Sequence, residues 1–338
     1  MPRFLLIFSL ALGTPLAAQK PTTPGNVRRL LSGLADDSMQ GRATGTPGAW
    51  RAARMIAHEM RRIGLAPLGD SGYYQRVPIS GDSAMVGGVW RDSLRLLASL
   101  GELDRLPRAG HRPAANILGV IRGSDPQLKD EVVLIDAHYD HLGMRRPSAG
   151  GDSIYNGADD DASGVTAVLE IARQLGEGPK PKRTVIFLAT IGEEAGLLGT
   201  RWFIQHPPIP LARMVANLEI EMIDRPDSLA GGSGRAWLTG YERSTLGEML
   251  AAKGIPIVPD KRRDEHFFER SDNIAFARRG IVAHTLSTFN LHADYHEVSD
   301  EVSKADFVHM AGVINAAAKA ARILADGKKP AWKAGGRP

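Results

Sequence analysis

Short apolar runs alternate with helical patterns from Asn116 onward, and this alternation most limits what the chain can fold into. The runs EVVLIDAH (131–138) and RTVIFLATI (183–191) are almost continuously apolar, as in strands buried on both faces. MVANLEIEMI (214–223) is a third run, and ASGVTAVLEIARQL (162–175) has apolar residues at helical spacing. The pattern predicts an α/β fold with a mostly parallel, mixed and twisted central sheet that carries helices on both faces.

The flanking segments complete this prediction. Asn26 is expected to cap a first helix, and Thr46 and Pro47 to begin a second that Gly64 ends. Residues 66–112 are rich in turn residues and predict connections and edge strands. Further strands and helices are predicted as follows: strands in NILGVI (116–121), RAWLTGY (235–241) and GIVAHTLS (280–287), and helices at 195–205, near 242–253 and at 304–324.

Composition and the two ends of the chain divide it into three parts. Residues 1–19 combine Arg3, an apolar core and small residues, which predicts a secretory signal peptide and an exported, periplasmic or extracellular protein. Residues 20–325 are expected to form a single domain, and 326–338 a flexible basic tail. No other run is long enough to span a membrane, and the mixed charges do not form a nucleic-acid footprint. The oligomeric state is not predicted.

Five potential metal ligands each lie in a short motif that follows or ends a strand pattern. They are His138, Asp160, Glu194, Glu221 and His296. Because the carboxyl ends of parallel strands share one edge of a sheet, these residues are expected to converge. The chain has no cysteine, so only His, Asp and Glu can be the ligands. Two imidazoles and three carboxylates suit a pair of divalent ions such as zinc.

Two neighbours of these ligands are candidates for catalytic roles. Glu193 adjoins Glu194, so one carboxylate can bind metal while the other accepts a proton. Asp140 is placed to orient the ring of His138. Each motif alone has an ordinary structural explanation, because adjacent acids also favour the first turn of a helix. His141 competes with His138 as a ligand, and a His292–His296 pair would rival the set if that segment were helical.

Six motifs in order identify the chain as similar to metallopeptidase family 28. The resemblance covers roughly residues 36–325 and includes DAHYDHLG, NGADDDASG, GEEAGLLG, EIEMIDRPD, RSDNIAFARRG and DYHEVSDE. It implies that His138 and Glu221 hold one ion, that Glu194 and His296 hold the other, and that Asp160 bridges them. It further implies Glu193 as the general base, Asp140 as the residue that orients His138, and Tyr295 as the donor to the oxyanion. Tyr295 is equally well explained as an aromatic packed under its loop.

The resemblance implies a zinc-dependent exopeptidase with two Zn²⁺ per chain, other divalent ions being possible. It favours an aminopeptidase that uses a water shared by the ions to hydrolyse peptides with a free amino terminus. A glutaminyl-peptide cyclotransferase, a carboxypeptidase, a dipeptidase and a non-enzymatic periplasmic binding module remain as alternatives. The chain departs from relatives in having Glu221 where they often have Asp and Asp161 where they often have Asn. Residues 80–112 are too short for the protease-associated domain of larger relatives.

Overall fold

The computed structural model describes residues 20–86, 89–145 and 151–338. The signal peptide predicted at residues 1–19 lies outside them. A central sheet organises the described part of the chain, and its nine strands are β1 (Ala66–Pro67), β2 (Tyr74–Arg76), β6 (Ala115–Ile121), β7 (Val132–His138), β10 (Thr184–Thr190), β11 (Met214–Ile220), β12 (Ala236–Leu238), β13 (Ile257–Pro259) and β14 (Val282–Ser287).

Four neighbouring strands of this sheet run in parallel and aim their carboxyl ends at one edge. The order along the sheet is β1-β6-β10-β7-β11-β14-β12-β13, with β2 also paired to β6. The β10, β7, β11 and β14 strands pair in parallel, whereas β6 and β12 join antiparallel. This mixed, mostly parallel arrangement confirms the predicted fold class.

Shorter strands form two small additional sheets. The first has the order β4-β3-β5, and the second pairs β8 with β9. Their bounds are β3 (Ile79–Val86), β4 (Val89–Leu96), β5 (His111–Arg112), β8 (Gly143–Met144) and β9 (Ile154–Tyr155). Residues 66–112 therefore contain the edge strands that the turn-rich composition predicts.

Helices cover both faces of the central sheet because its strands are apolar on both sides. Within the described residues the helices are α1 (Pro24–Leu34), α2 (Pro47–Ile63), α3 (Leu100–Arg105), α4 (Gly164–Glu177), α5 (Leu198–Gln205), α6 (Leu246–Ala251), α7 (Asn273–Arg278) and α8 (Phe307–Asp326). Val133 and Ile135 of β7 pack into the core beneath α1, α2, α4 and α8, while Leu134 packs towards α5 and α7. Alternate side chains of one strand thus fill two cores.

The ends of the first two helices show which capping signals operate. Thr46 accepts a hydrogen bond from the backbone N of Ala49, Pro47 begins α2, and Gly64 ends it in a left-handed conformation at φ 87°, as predicted. In α1 the cap is Thr23, whose side chain accepts from the backbone N of Asn26. The prediction that Asn26 caps this helix is wrong, because Pro24 already occupies the first turn.

The C-terminal segment packs against the domain instead of extending into solvent. The indole Nε1 of Trp332 donates to the carbonyl of Gly280 at 3.0 Å, and its ring lies 5.6 Å from that of His284 and 6.4 Å from that of Phe268. Lys333 N donates to the carbonyl of Arg243. The composition predicts a flexible tail at 326–338, and the structure corrects this because Trp332 provides an apolar anchor within it.

Among the described residues, every helix is too short or too polar to cross a membrane.

Candidate metal centre

The predicted ligands meet at the carboxyl edge of the parallel strands. His138 is the last residue of β7, Glu221 directly follows β11, and Glu194 lies four residues beyond the end of β10. Asp160 belongs to the turn that precedes α4, and His296 comes from the loop after β14. Their ligand atoms form two overlapping groups that share Asp160, each with all atoms within 4.8 Å of one another.

The two oxygens of Asp160 face different groups. Oδ1 lies 3.2 Å from Nε2 of His138, and that nitrogen is 3.8 Å from Oε1 of Glu221. Oδ2 lies 3.0 Å from Nε2 of His296, which is 3.4 Å from Oε2 of Glu194. This is the placement expected of a carboxylate that bridges two cations, and all five predicted ligands take part in it.

Histidine 141 enters the second group, although the predicted set does not contain it. Its Nδ1 lies 2.8 Å from Oε1 of Glu194 and 3.8 Å from Oδ2 of Asp160. The sequence analysis gave His141 only as a competitor of His138. The strand ends at His138, so strand alternation no longer sets the direction of His141, and both imidazoles reach the site.

The chemistry of these residues fits a pair of divalent cations. Nε2 of His138 is buried and has no hydrogen-bond partner among the described residues, as a nitrogen awaiting a metal would be. Burial opposes ionisation of this ring, but the carboxylates of Asp160 and Glu221 hold the pKa of His138 well above its ordinary value. Burial likewise acts against ionised Glu194, yet His141 and His296 bring its pKa down to about 2. Closely packed carboxylates are most readily stabilised by bound cations.

Asp140 is buried beside His138, but its carboxylate has other partners. Oδ1 of Asp140 is 3.9 Å from Nδ1 of His138, too far for a hydrogen bond. That carboxylate accepts from the hydroxyl of Thr44 at 2.9 Å and from the backbone N of Glu193 at 3.2 Å. The Nδ1 of His138 instead lies 3.2 Å from the backbone carbonyl oxygen of Asp140. The predicted orienting role is therefore performed by the main chain of Asp140, and its side chain positions the Glu193 segment.

Glu193 is an acidic residue of the site whose carboxyl has a raised pKa. Burial raises the pKa of its carboxyl well above the ordinary value, and the nearby charges of Asp272, Glu221 and Glu194 raise it further, whereas His138 opposes them. A carboxyl with a raised pKa is better matched to proton exchange near neutral pH. Its backbone is fixed by the bond to Asp140.

Arg42 holds the turn that carries Asp160. Its guanidinium is 1% exposed and donates to backbone carbonyls of the β7 end and of the turn. The acceptors are the carbonyl oxygens of Leu34, Tyr139, Asn156, Gly157 and Asp160, at 2.5–3.4 Å. One buried cation therefore ties the N-terminal segment to the residue shared by the two ligand groups.

A cavity opens beside the ligand group of His138, Asp160 and Glu221. Its volume is about 380 Å³ when the open solvent at its mouth is counted. Its lining includes Glu221, Trp237, Phe267, Phe289, Tyr295 and Arg270. The rings of Trp237 and Phe267 stack with centroids 5.2 Å apart, and Arg270 lies over Phe267. The walls thus combine aromatic rings with the hydroxyl groups of Thr239, Thr285 and Ser287, one carboxylate and one guanidinium.

Tyr295 lies between this cavity and the ligands. Its ring stacks on that of His296 with centroids 3.9 Å apart and contacts Phe289 at 5.1 Å. Burial, followed by the negative charges of Asp160, Glu221 and Glu194, raises the pKa of its hydroxyl, so Tyr295 stays protonated. It can therefore donate a hydrogen bond into the cavity, and it also packs as an aromatic residue.

Several supporting residues were missed from the sequence. Asp300 accepts from the backbone N of Asp159 and of Asp160, which fixes the bridging residue. Glu219 lies under Glu221 and accepts from Ser271, Thr285 and two backbone N–H groups. The spacing of Glu219 and Glu221 on one strand face was the available signal for Glu219.

The rival pair of His292 and His296 does not form. His292 donates to Asp159, with Nε2 2.8 Å from Oδ2, and is absent from both ligand groups. Its segment consists of turns, so the helical spacing of the two histidines has no structural meaning.

Fold and side chains together define an α/β metallohydrolase class, and comparison with known proteins makes this specific. Residues 116–321, more than half of the chain, match the model of peptidase family M28. The chain belongs to peptidase family M28. A zinc aminopeptidase from Bacillus subtilis has the same fold, with a TM-score of 0.65 at 17% identity over 90% of this chain and 96% of that one.

Curated relatives match over shorter segments. A vacuolar membrane protease from Lachancea thermotolerans is 26% identical over 63% of this chain and 20% of its own length. A probable glutamate carboxypeptidase from Arthroderma benhamiae is 33% identical over 36% of this chain and 15% of its own length. This chain thus spans about a fifth or less of the length of these curated relatives.

Proposed function

We propose that this protein is an exported two-zinc exopeptidase that acts as an aminopeptidase. The proposal depends on one observation: the two carboxylate oxygens of Asp160 face different imidazoles. Oδ1 lies 3.2 Å from Nε2 of His138, and Oδ2 lies 3.0 Å from Nε2 of His296. His138, Asp160 and Glu221 would hold one ion, and Asp160, Glu194 and His296 the other. Zinc is favoured by the mixture of imidazole and carboxylate ligands and by the names of family relatives.

The chain's own residues divide the chemical work. Bound zinc supplies Lewis acidity and lowers the pKa of the attacking water. Glu193 accepts the proton of that water and later gives it to the leaving amine, so one side chain acts as base and then as acid. Tyr295 donates a hydrogen bond to the developing oxyanion, which its raised pKa permits because the hydroxyl stays protonated.

The cavity supports cleavage at the end of a peptide. It lies next to Glu221, and the rings of Trp237, Phe267 and Phe289 in its wall offer contacts to one apolar side chain beside the hydroxyl groups of Thr239, Thr285 and Ser287. We infer that an N-terminal residue with a bulky apolar side chain enters it. The scissile carbonyl then lies beside the ligand groups.

A substrate panel tests this proposal. Purified protein is assayed with free-amine aminoacyl anilides, the same compounds N-acetylated, and peptides amidated at the C-terminus, with and without a chelator. Free-amine substrates should be cleaved, N-acetylated ones spared, and chelator should abolish turnover that added Zn²⁺ restores. Cleavage of N-acetylated peptides alone would overturn the aminopeptidase assignment, and turnover that survives chelation would overturn the zinc assignment.

A carboxypeptidase or dipeptidase is the second candidate, favoured by Arg270. This guanidinium lines the cavity, and its nearest recorded carboxylate, on Glu265, is 3.5 Å away with both groups about two-fifths exposed. A loosely held arginine is suited to bind a substrate carboxylate, and one relative is named a glutamate carboxypeptidase. C-terminally amidated peptides separate the two activities, because amidation removes the carboxylate. Ammonia release from N-terminal glutamine with one zinc per chain would instead indicate a glutaminyl cyclase.

Export is proposed on the composition of residues 1–19. Cleavage after Ala18 or Gln19 would place the mature N-terminus just before Thr22, which bonds to α4 and α8 through Glu170 and Asn315. Mass spectrometry of the protein expressed in a bacterial host with an export pathway tests this. A mature chain starting near residue 20 in the periplasm or medium supports export, and an intact Met1 chain in the cytosol contradicts it.

A further inference from the structure

His141 is fixed with one ring nitrogen directed into the second ligand group. It is 2% exposed, and its Nδ1 lies 2.8 Å from Oε1 of Glu194 and 3.8 Å from Oδ2 of Asp160. The rings of His141 and His296 meet edge to face at 5.6 Å. One ligand atom each from His141, Asp160, Glu194 and His296 lies within 4.8 Å of the others. These four atoms thus surround a single point.

The chain holds this ring in place from behind. Gly157, at φ 54°, packs against the imidazole so closely that a Cβ there would lie 2.5 Å from Cδ2 of His141. The backbone N of His141 donates to the carbonyl of Arg42, whose guanidinium holds the same turn. Because the ring has little room to turn, Nδ1 stays directed at Glu194 and Asp160.

We propose that His141 is a ligand of the ion held by Asp160, Glu194 and His296. This inference rests on the proposed two-zinc function and goes beyond the five ligands expected from the family resemblance. That ion would have four protein ligands, which is the closed arrangement of structural zinc sites. The other ion, held by His138, Asp160 and Glu221, would have three and keep an open position, as catalytic zinc does.

The location of the cavity agrees with this division. Glu221 belongs to the three-ligand group and lines the cavity, whereas His141 and Glu194 do not line it. The ion with three protein ligands would therefore face the substrate, and the ion with four would lie on the buried side of the site. The two ions of one site would thus differ in affinity and in task.

A different role for His141 must be separated from ligation by experiment. Its Nδ1 could instead donate a hydrogen bond to Glu194 and only orient that ligand. In either role Nε2 is buried without a hydrogen-bond partner among the described residues, so this atom does not distinguish them. The amide of asparagine and the carboxylate of aspartate place a polar atom about as far from the main chain as Nδ1 of histidine. His141→Asn therefore keeps a hydrogen-bond donor, and His141→Asp keeps a metal ligand.

The two variants give opposite expectations. Chelator-stripped wild type, H141N and H141D are titrated with Zn²⁺ against a chromophoric competitor, with H58N as control because His58 is exposed on α2. If His141 is a ligand, the zinc affinity of one of the two sites falls by more than about 100-fold in H141N, whereas H141D retains both sites. If His141 only orients Glu194, H141N keeps the donor and binds zinc normally, whereas H141D loses the donor and repels Glu194, and loss of such an orienting bond typically costs about 10–100-fold in affinity. Normal binding by H141N overturns the proposal.

The zinc-loaded wild type gives a readout that needs no variant. Crystallography should find Nδ1 of His141 about 2.0–2.1 Å from one zinc ion. A hydrogen bond from Nδ1 to Glu194 with no zinc in that range would overturn ligation. If H141N and H141D both lose a zinc site, this crystallographic distance decides between the two roles. If wild type binds no zinc, the proposed function fails instead. Two zinc ions with His141 unligated would refute only the present inference.

Discussion

The main-chain carbonyl of Asp140, and not its carboxylate, is the hydrogen-bonding partner of His138. The Nδ1–O distance is 3.2 Å, whereas the carboxylate oxygen is 3.9 Å away. A carbonyl acceptor fixes the tautomer of His138 with Nε2 free for metal as well as a carboxylate would. Since no substitution of the side chain removes a backbone carbonyl, orientation of His138 is separable from the charge of Asp140.

Asp140→Asn should therefore impair catalysis more than metal binding. The change weakens the contacts to Thr44 and to the backbone N of Glu193 but leaves the carbonyl. We expect zinc affinity to fall by less than about tenfold, below the usual loss for a carboxylate behind a ligand, and kcat to fall by about tenfold or more through misplacement of Glu193. Zinc competition and steady-state kinetics measure both. The matched control is D130N, because Asp130 is exposed; a 100-fold zinc defect with normal kcat would refute this account.

Glu193→Gln should leave two zinc ions bound and suppress turnover. The amide cannot accept the proton of the attacking water, and loss of a general base costs about 10²–10⁴-fold. The measurements are kcat and zinc per chain on the same preparation. An E242Q variant controls for the substitution because Glu242 is exposed. Turnover close to wild type in E193Q would exclude Glu193 as the base.

Trp237→Leu should change selectivity between substrates. Trp237 stacks on Phe267 in the cavity wall, so a smaller side chain leaves part of a bulky N-terminal residue without contact. We expect kcat/KM to fall by about 10–200-fold for bulky apolar residues, the usual value of such contacts, and to change little for alanine. Alanyl substrate serves as the internal control. An equal loss for both substrates would show that the cavity does not hold the side chain.

Arg270→Gln separates the two candidate activities. If the protein acts as an aminopeptidase on neutral residues, kcat/KM for apolar aminoacyl anilides should stay within about threefold of wild type. A charge-assisted hydrogen bond to a substrate carboxylate contributes about 1.5–3 kcal/mol, so substrates that depend on such a carboxylate should lose about 10–150-fold. Side-by-side assays of free and amidated peptides read this out. Loss on neutral anilides alone would mean that Arg270 shapes the cavity wall and recognises no charge.

His284 should make the protein less stable as the pH falls. Burial lowers the pKa of His284 from its ordinary 6.5 to about 4, although the carbonyl of Thr239 opposes the shift. The unfolded chain takes up a proton here before the folded one does, so stability is complete above about pH 6.5 and declines as the pH falls towards 4. Across this pH range the free energy of unfolding should fall by about 3 kcal/mol because of His284.

His284→Gln should remove that component of the pH dependence. Chemical unfolding of wild type and H284Q is measured from pH 7 to pH 4, with H58Q as the control for an exposed histidine. The difference between wild type and H284Q should narrow as the pH falls through this window. A constant difference across the window would contradict a neutral, buried His284.

Three of the five ligands were predictable as strand-end residues, because His138, Glu194 and Glu221 end or follow apolar runs that are typical of buried strands. His138, Glu194 and Glu221 converge for the reason the sequence indicates, namely that β7, β10 and β11 are parallel neighbours. His141 was not predictable as part of the site, because its direction depends on where β7 ends. The end of β7 at His138 is set by the tertiary structure.

Other differences arise from long-range contacts that a local pattern does not reveal. The donors to the Asp140 carboxylate are the hydroxyl of Thr44 and the backbone N of Glu193, which are far away in sequence. Trp332 anchors the C-terminal segment on Phe268 and His284, and a composition rich in lysine and glycine gives no sign of it. The Thr23 cap was missed because Asn26 is an equally good capping residue type.

Arg42 extends the catalytic apparatus beyond the region by which the family is recognised. The family match begins at residue 116, yet this guanidinium, 74 positions earlier, donates hydrogen bonds to the carbonyl oxygens of Gly157 and Asp160 and so holds the turn that carries the shared carboxylate. A substitution in the first hundred residues of this chain that disturbs Arg42 should therefore lower metal affinity, although it changes no coordinating atom.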